Sequence, residues 1–301
     1  ADVLGRPASV GSITMTPLSD RVSVRIPVGR RVPYRVDEEE RTLHLTLYGA
    51  TADINWIRYG SADSVVRVAR WRQASSDEVE LSFDLATPVW GYRLRWDRGD
   101  LIFEIRRPPA IDRIRPLSGR FIVVDAGHPP AGSTGPTGLT EPEANLAIVK
   151  RLRAMLEDAG AKVIETRPDD RPVELGRRAR LADSVGADVV VSIHNNAVPD
   201  GVNPFANEGT SVFYFHPRSL PLARAAQRRL VEAFETRDLG VARGDLAMTR
   251  PTWMPAILTE GLFLMLPEHE ALLREERGQR RYAEAVKKGL EDFFRERARR
   301  D

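Results

Sequence analysis

The stretch Phe121-Ile-Val-Val-Asp-Ala-Gly-His128 decides how the second half of this chain folds. It opens with a run of β-formers, and small residues then lead to a histidine. A second stretch, Ala187-Asp-Val-Val-Val-Ser-Ile-His194, has the same form. The chain has five histidines, and two of them follow its most strand-like apolar runs. Because ligands bind at the carboxyl ends of strands in open α/β sheets, His128 and His194 are predicted to share a metal ion.

Residues 121–301 alternate between strand patterns and helix patterns. The strand that begins at Phe121 leads through a Gly/Pro-rich loop into a helix that ends near Gly160. Further strands are predicted at Lys162–Thr166, Ala187–His194, Thr210–Phe215, near Leu246–Thr249 and at Ala256–Glu260, and further helices near Val173–Ser184, Leu220–Glu235 and Gln279–Arg300. This alternation predicts an α/β fold with a mostly parallel sheet and helices on both of its faces.

Residues 1–110 show no helical period of useful length. Apolar and polar residues alternate there in four stretches, which run through Val24, Leu45, Leu81 and Phe103. We therefore predict a small all-β, sandwich-like domain. The first 18 residues or so carry Gly, Pro and Ser without this period, so we expect an extended or frayed start.

The all-β region contains an internal repeat. The segment from Val22 to Leu47 resembles the segment from Val79 to Ile105, with an offset of 57 residues that becomes 58 after one inserted residue. Such a repeat predicts two similar sheets packed face to face. The alternative is that antiparallel strands rich in Tyr and Arg resemble one another by chance.

Residues 111–120 are predicted to link this domain to a second domain at 121–301. Pro108, Pro109 and Pro116 interrupt the strand pattern here. Proline cannot donate a hydrogen bond to a sheet, and it restricts the residue before it.

The composition is typical of a globular protein, with 42% hydrophobic and 29% charged residues among 301. The formal net charge of +2 predicts no nucleic-acid partner, and no apolar run reaches the roughly 18 to 20 residues of a membrane span. Because the chain has no cysteine, any metal must be held by histidine and carboxylate side chains. A start at Ala1 is expected of a mature secreted protein after signal-peptide removal, or of a trimmed chain.

Glu141 is the carboxylate that could complete a metal site with the two histidines. Thr140-Glu-Pro-Glu143 has the pattern of a capping box, in which Glu143 reaches back to the helix start. Glu141 has no such task and lies at the end of the loop that begins at His128. A His-Glu-His set leaves a fourth metal position open, as in catalytic zinc sites. The alternative is a first-turn glutamate stabilised by the helix dipole.

Glu260 follows the apolar run that starts at Pro255 and precedes Gly261. As a carboxylate at a third strand end, it would face the same rim of the sheet and could move a proton between water and a leaving group. A structural ion pair with an arginine is the alternative. The remaining histidines belong to no motif and are interpreted as surface or strand residues; they are His44, His216 and His269.

Six motifs carry a family resemblance that covers the chain from about residue 120 to its end. They are Asp125-Ala-Gly-His128, Gly138-Leu-Thr-Glu141-Pro-Glu-Ala-Asn145-Leu146, Thr166-Arg167, Leu175-Gly-Arg-Arg178, Ser192-Ile-His194-Asn-Asn196 and Pro255-Ala-Ile-Leu-Thr-Glu260-Gly-Leu-Phe263. In this order they resemble the zinc-dependent N-acetylmuramoyl-L-alanine amidases, the type-3 peptidoglycan amidases.

The resemblance implies a zinc ion held by His128, Glu141 and His194, with Glu260 as the catalytic residue. It implies that zinc-activated water cleaves the amide bond between N-acetylmuramic acid and L-alanine of peptidoglycan. Residues 1–110 are similar to the AMIN modules of such amidases, which implies binding to the cell wall and contacts with wall or division proteins. The implied location is the periplasm, or outside the cell in association with the wall.

The chain departs from the family pattern in two places. Pro129-Pro130 follows His128 where the family usually has Gly-Gly, which puts contacts from this loop to substrate in doubt because proline lacks an amide donor. Some members also insert a long helical plug before the last catalytic strand. Here Phe215 runs almost directly into the helix at Leu220, so we see no room for a plug and expect activity without a partner.

Three other functions remain open at this point. The chain could be a different zinc peptidase that acts on wall peptides. It could be a peptidoglycan-binding protein with an inert enzyme domain, although retention of all four chemical residues argues against this. It could also be a division-site scaffold built on residues 1–110.

Overall fold

The chain divides into two units, Ala1–Pro109 and Ala110–Asp301. The structure is a computed structural model that describes residues 6–60, 65–199 and 201–300. Residues 1–5 of the expected frayed start lie outside the described residues. The described part of this start is extended and not frayed, because two strands form before residue 18.

The first unit consists of strands joined by turns and short loops. They are β1 (Ala8–Val10), β2 (Ile13–Pro17), β3 (Arg21–Pro27), β4 (Tyr34–Glu38), β5 (Thr42–Tyr48), β6 (Ala50–Ala52), β7 (Ile57–Arg58), β8 (Val66–Ser75), β9 (Glu78–Leu85), β10 (Tyr92–Asp97) and β11 (Asp100–Arg106). One sheet has the order β10-β11-β3-β2-β7, a second has the order β4-β5-β9-β8, and β1 pairs with β6. Buried residues of both larger sheets share one apolar core, in which the rings of Phe83 and Phe103 lie 5.4 Å apart. The predicted β-rich, sandwich-like region is confirmed.

The internal repeat is divided between the two larger sheets. In the first copy, β3 lies in the five-stranded sheet, whereas the hairpin of β4 and β5 lies in the four-stranded sheet. In the second copy, β9 lies in the four-stranded sheet and the hairpin of β10 and β11 lies in the other. The register follows the same exchange, because Val24 pairs with Phe103 while their counterparts Leu81 and Leu45 pair with each other. Each copy therefore completes the sheet of the other.

The second unit is built on a six-stranded sheet. Its strands are β12 (Phe121–Ala126), β13 (Lys162–Glu165), β14 (Val189–Asn196), β15 (Thr210–Tyr214), β16 (Asp238–Arg243) and β17 (Ala256–Phe263). Its helices are α1 (Glu141–Asp158), α2 (Leu175–Val185), α3 (Pro204–Asn207), α4 (Leu220–Phe234), α5 (Pro267–Arg274) and α6 (Glu276–Arg300), with a 3₁₀ helix at Pro217–Ser219. The strand order is β13-β12-β14-β17-β15-β16, and every neighbouring pair is parallel except β15 and β17.

Helices cover both faces of this sheet. Val123 and Val190 pack with Ala182 of α2 on one face. Their neighbours Val124 and Val191 point to the opposite face and are also fully buried. Helix α6 packs against both α1 and α4, and α1 and α4 also contact the sheet. The predicted α/β fold with a mostly parallel sheet is confirmed.

The sixth strand does not lie where the sequence pattern placed it. Leu246–Thr249 was predicted as a strand, but Thr249 turns the chain there, because its hydroxyl donates to the carbonyl oxygens of Gly244 and Leu246. The strand is β16, which pairs with β15 at the edge of the sheet.

The segment predicted as a linker, residues 111–120, packs within the second unit. Leu117 is buried, and the guanidinium of Arg113 donates to the carbonyl oxygen of Ala298 over 3.1 Å. Within the described part of the chain, no helix is both long and apolar enough to cross a membrane.

Candidate metal centre and active site

His128 lies two residues beyond β12, in a segment held by a buried arginine. The Arg178 Nη2 atom donates to the carbonyl oxygens of His128, at 2.9 Å, and Pro129, at 2.6 Å. His128 has a φ of 59°, a left-handed conformation that is uncommon for a residue with a side chain. The Arg178 contacts stabilise this turn and so fix where the imidazole lies. Both peptide bonds that precede Pro129 and Pro130 are cis.

His128, Glu141 and His194 lie together at the carboxyl ends of β12 and β14. The Nε2 atom of His128 is 3.3 Å from Glu141 Oε2, and the Nδ1 atom of His194 is 3.1 Å from Glu141 Oε1. The three ligand atoms all lie within 4.8 Å of one another. Two imidazoles and one carboxylate could therefore hold a metal ion between them.

The donor set is compact enough to share one metal ion. Bonds of about 2.0–2.1 Å to nitrogen and oxygen in a tetrahedron place neighbouring ligand atoms about 3.3 Å apart. Each imidazole lies at about this separation from one of the two Glu141 oxygens, His128 from Oε2 at 3.3 Å and His194 from Oε1 at 3.1 Å. Three protein ligands leave the fourth position open, as in catalytic rather than structural sites.

His128 presents Nε2 to the shared position because its other ring nitrogen is occupied. Nδ1 lies 3.1 Å from the carbonyl oxygen of Pro130 and donates to it, which fixes the tautomer. Gly127 leaves the space that the other imidazole occupies, since a Cβ atom at this position would lie 2.4 Å from His194 Nε2. No other residue type fits between the strand end and the ring.

The Glu141 carboxylate is surrounded by donors. It accepts from the amide and hydroxyl of Ser133, from the side chain of Asn145 and from the amide of Asn195, over 3.1 to 3.3 Å. Burial alone would raise the pKa of Glu141, but the contacts with His128 and His194 outweigh it and lower the pKa well below its usual range. The same contact with Glu141 raises the pKa of His128. The group is therefore held as an anion, the form that binds a cation.

The predicted capping box was wrong. The Thr140 side chain makes no capping hydrogen bond, and Glu143 is exposed. Glu141 faces the interior instead, because it is the first residue of α1 and lies on the same face as Asn145, one turn later.

Asp125 organises a buried polar network directly below the site. Its carboxylate accepts from the hydroxyls of Thr166 and Ser192, the latter at 2.5 Å, and from the Arg178 guanidinium at 3.1 Å. It therefore joins β12, β14 and α2 at their ends near His128. Through Arg178, which also holds the His128 and Pro129 carbonyl oxygens, Asp125 supports the segment that carries His128.

Arg167 is a second buried cation in this support. Its guanidinium donates to the carbonyl oxygens of Ala126, Gly127 and Pro142. Burial, and then the charge of Arg178, lowers the pKa of Arg167. The two arginines hold the backbone on both sides of Gly127, and Arg167 also links it to the start of α1.

Glu260 lies beside His194 on the neighbouring strand. The two residues pair in the register of β14 and β17, so their side chains share one face. Glu260 was predicted to end its strand, but β17 continues to Phe263. A Cβ atom at Gly261 would lie 2.2 Å from the ring of Tyr282, whose hydroxyl donates to the His194 carbonyl oxygen at 3.0 Å.

One oxygen of the Glu260 carboxylate is buried and makes no hydrogen bond among the described residues. This atom, Oε2, is inaccessible to solvent, so the alternative of a structural ion pair has no support. Burial, together with the charge of Glu141, raises the pKa of Glu260 to about 8. A cation held beside it would lower this pKa again, because bound metal ions are often the largest local charges in a site.

A loop between the first histidine and α1 is held by a residue that sequence reasoning missed. Glu270, at 1% exposure, accepts from the backbone amides of Thr137 and Leu139 over 2.8 and 2.9 Å. Gly135 packs directly on it, since a Cβ atom there would lie 2.5 Å from the carboxyl group. Ser133, which contacts Glu141, was missed for the same reason. Neither residue follows a local pattern.

The other histidines are not part of a metal centre. His44 lies 3.5 Å from Glu39, His216 contacts the Arg250 carbonyl oxygen, and His269 accepts from the Phe263 amide. Across residues 6–60, 65–199 and 201–300, no second group of three His, Asp or Glu side chains is placed to share a metal ion.

The segment between β15 and β17 has no insertion that resembles a plug in its described residues. It forms the 3₁₀ helix, α4 and β16, and α4 packs against β15 and α6.

The sequence matches the family model described as N-acetylmuramoyl-L-alanine amidase over residues 122–292. The chain is 31% identical over 192 residues to the uncharacterized protein YqiI of Bacillus subtilis, which covers 62% of this chain and 90% of YqiI. It is also 31% identical to the N-acetylmuramoyl-L-alanine amidase LytC of Bacillus subtilis, over 60% of this chain and 36% of LytC. The chain thus spans about a third of LytC.

The fold is that of solved amidase domains. The catalytic domain of CwlV, an N-acetylmuramoyl-L-alanine amidase from Bacillus (Paenibacillus) polymyxa var. colistinus, superimposes with a TM-score of 0.54 and 30% identity. The match covers 58% of this chain and 97% of that domain. The chain belongs to the N-acetylmuramoyl-L-alanine amidase family and is a peptidoglycan amidase, as its motifs predict.

Proposed function

We propose that His128, Glu141 and His194 hold a zinc ion and that Glu260 transfers the proton in hydrolysis of the amide between N-acetylmuramic acid and L-alanine. One observation carries the proposal. A compact set of two imidazoles and one carboxylate lies beside Glu260, whose Oε2 atom is buried and has no hydrogen-bond partner among the described residues.

Zinc is favoured over other metals by the donor types. Imidazole and carboxylate ligands in a compact three-residue set suit zinc, whereas calcium and magnesium take six or more oxygen ligands or retain several waters. When bound, zinc would act as a Lewis acid and lower the pKa of a water molecule at the open position to about 7. The buried shell of Asn145, Asn195 and Ser133 would keep the Glu141 carboxylate oriented toward the ion.

Glu260 supplies the proton transfer in this proposal. Its carboxylate accepts a proton from the attacking water and returns it to the departing nitrogen of L-alanine, so that the amine leaves in neutral form. Its position beside His194 in the register of β14 and β17 supports this role. Tyr282 and Gly261 hold the strand on either side of this carboxylate in place.

We also propose that the first unit positions the enzyme on the cell wall, in the periplasm or at the cell surface. The all-β sandwich and its internal repeat support an AMIN-like module. Peptidoglycan is its proposed ligand, with other wall or division proteins as further partners. Co-sedimentation with purified peptidoglycan tests this: the full chain should sediment, and a chain that begins at Ala110 should sediment less. Equal sedimentation would contradict the role.

The proposed reaction is tested by metal analysis combined with product analysis. The purified chain should contain about one zinc per molecule, and it should release peptides with a free L-alanine amino terminus from purified peptidoglycan. Cleavage between amino acids of the peptide would instead identify a wall peptidase. Binding without any product would identify an inert peptidoglycan-binding protein.

A further inference from the structure

A cavity of about 610 Å³ opens beside the segment that carries His128. It lies beyond the end of β13, which is parallel to β12, so it opens on the same rim as the metal ligands. Thr166 forms part of its wall and donates to Asp125, one of the residues that supports the site. Through Thr166, the cavity adjoins the buried residues that support the His128 segment. None of the three proposed metal ligands lines it.

The cavity combines apolar walls with arginine side chains. Pro168, Pro172, Val173 and Leu181 are among its lining residues. The charged residues in the lining are Arg171, Arg177, Arg180 and Asp169. Apolar walls with a few polar groups that converge on them are typical of ligand sites, and three arginines against one aspartate favour an anion.

The arginines differ in whether their charge is already neutralised. Arg171 lies 2.8 Å from Asp169, and Arg180 lies 3.3 Å from Glu174. The Arg177 guanidinium is exposed and has neither a carboxylate nor a hydrogen-bond partner among the described residues. It follows that Arg177 is the cation available for a ligand, with Arg180 one turn along the same helix as its neighbour.

Arg177 is also adjacent in sequence to the arginine that holds the His128 segment. Arg178 turns inward to the carbonyl oxygens of His128 and Pro129, while Arg177 turns outward into the cavity. An anion bound by Arg177 would thus lie next to Arg178 in α2, the residue that holds the backbone of His128 and Pro129.

We propose that this cleft binds a carboxylate of the peptide arm of the substrate, with Arg177 as the principal contact and Arg180 as the second. The inference rests on the proposed amidase function. The peptide that begins with L-alanine ends in a carboxylate, and a guanidinium binds carboxylates through paired, charge-assisted hydrogen bonds. The cleft would therefore select substrates with a free acid and orient the peptide away from the metal centre.

Paired substrates test the proposal. They are soluble N-acetylmuramoyl peptides whose peptide carboxylates are free in one and amidated in the other. In the double variant Arg177→Gln/Arg180→Gln, KM for the free acid should rise roughly ten-fold, the factor expected for loss of one charge-assisted contact. Turnover and the KM for the amidated substrate should stay within about two-fold, because the metal centre does not change.

Arg228→Gln is the matched control, since Arg228 is an exposed arginine of α4 whose side chain lies 3.8 Å from Asp292. It should leave KM unchanged for both substrates. The effect of the double variant should also weaken at high salt, because the contact is exposed. An equal rise of KM for both substrates, or no rise for either, overturns the proposal.

Calorimetry with the cleaved peptide separates this proposal from the amidase assignment. The wild-type protein should bind the free-acid peptide more tightly than the amidated one, and the double variant should bind both equally. Binding that ignores the carboxylate overturns the cleft assignment even if hydrolysis proceeds normally. If neither muramoyl substrate is cleaved but the peptide preference is present, the amidase reaction is refuted and the carboxylate site stands.

Discussion

Glu270 accepts a hydrogen bond of 2.9 Å from the backbone amide of Leu139, which lies 131 residues earlier in the chain. A second amide, that of Thr137, donates to the same carboxylate. The loop that they hold begins at His128 and ends at Glu141, so one buried carboxylate in α5 stabilises the segment between two of the proposed metal ligands.

Glu270→Gln should loosen this loop without touching a metal ligand. The amide group retains one acceptor oxygen and places a donor against the second backbone amide, which should cost about 1–3 kcal/mol locally. Hydrogen exchange at Thr137 and Leu139 should become faster by roughly ten-fold or more. Glu268→Gln, on the exposed side of the same helix turn, should leave these rates unchanged. Unaltered exchange in Glu270→Gln would show that the loop is held by other contacts.

Arg178→Lys should weaken metal binding from a distance. Lysine keeps the charge but lacks the planar fork that reaches Asp125 and the carbonyl oxygens of His128 and Pro129 together. Zinc affinity, measured by competition with a chelator, should fall by roughly 10- to 100-fold, as is typical for residues that orient metal ligands. Arg180→Lys is the control on the exposed side of α2. Equal affinities for the two variants would contradict the supporting role of Arg178.

Glu260→Gln should separate metal binding from turnover. The amide is close in shape to the carboxylate but cannot accept the proton, so the rate of amide cleavage should fall by a factor on the order of 10² or more. Zinc content should stay at the wild-type level, whereas His194→Ala should lose zinc as well as activity. Glu143→Gln, at an exposed position of α1, serves as the control. Near-normal turnover in Glu260→Gln would remove this residue from the mechanism.

The stability of the first unit should depend on pH through Glu104. Burial alone would raise the pKa of Glu104, but hydrogen bonds and charges from Arg93 and Arg21 outweigh it and lower the pKa. The folded-state pKa lies below the unfolded value of about 4.3. The stabilisation is therefore complete above about pH 4.3 and is lost as the pH falls through the folded-state pKa.

Glu104→Gln should accordingly lower the free energy of unfolding at pH 7 by about 1–2 kcal/mol. The difference from wild type should shrink as the pH falls below about 4. Tryptophan fluorescence reports mainly on this unit, because Trp253 is the one tryptophan of the chain outside residues 1–110. Asp97→Asn is the control, since Asp97 and its partner Arg95 are both exposed. A difference that persists at pH 3 would argue for packing rather than charge.

Much of the fold could be predicted because long elements bury one regular face. The inward residues of α1 and α6, such as Leu152 and Val286, recur at helical spacing and are fully buried. Short elements escaped prediction: β1 has three residues and α5 has eight. In elements of this length, too few positions repeat for a period to be recognised.

The candidate site was predictable where a residue ends a strand and unpredictable where it depends on distant contacts. His128 and His194 were found from their place after apolar runs. Glu141 was preferred to Glu143 for a capping reason that is wrong. The two glutamates differ in their position on α1. Glu141 lies on the buried face with Asn145, and Glu143 does not. Glu270 could not be found, since its partners are set by tertiary packing and not by local sequence.

The two copies of the repeat in the first unit depend on each other for strand pairing. A single copy consists of a strand and a hairpin that belong to different sheets. The strand therefore does not pair with the hairpin of its own copy, and each pairs with an element of the other copy. Two separate copies would supply every pairing of the central strands by exchanging elements, as domain-swapped dimers do. The central strands of the first unit are therefore arranged as in a strand-exchanged homodimer whose two subunits are joined in one chain.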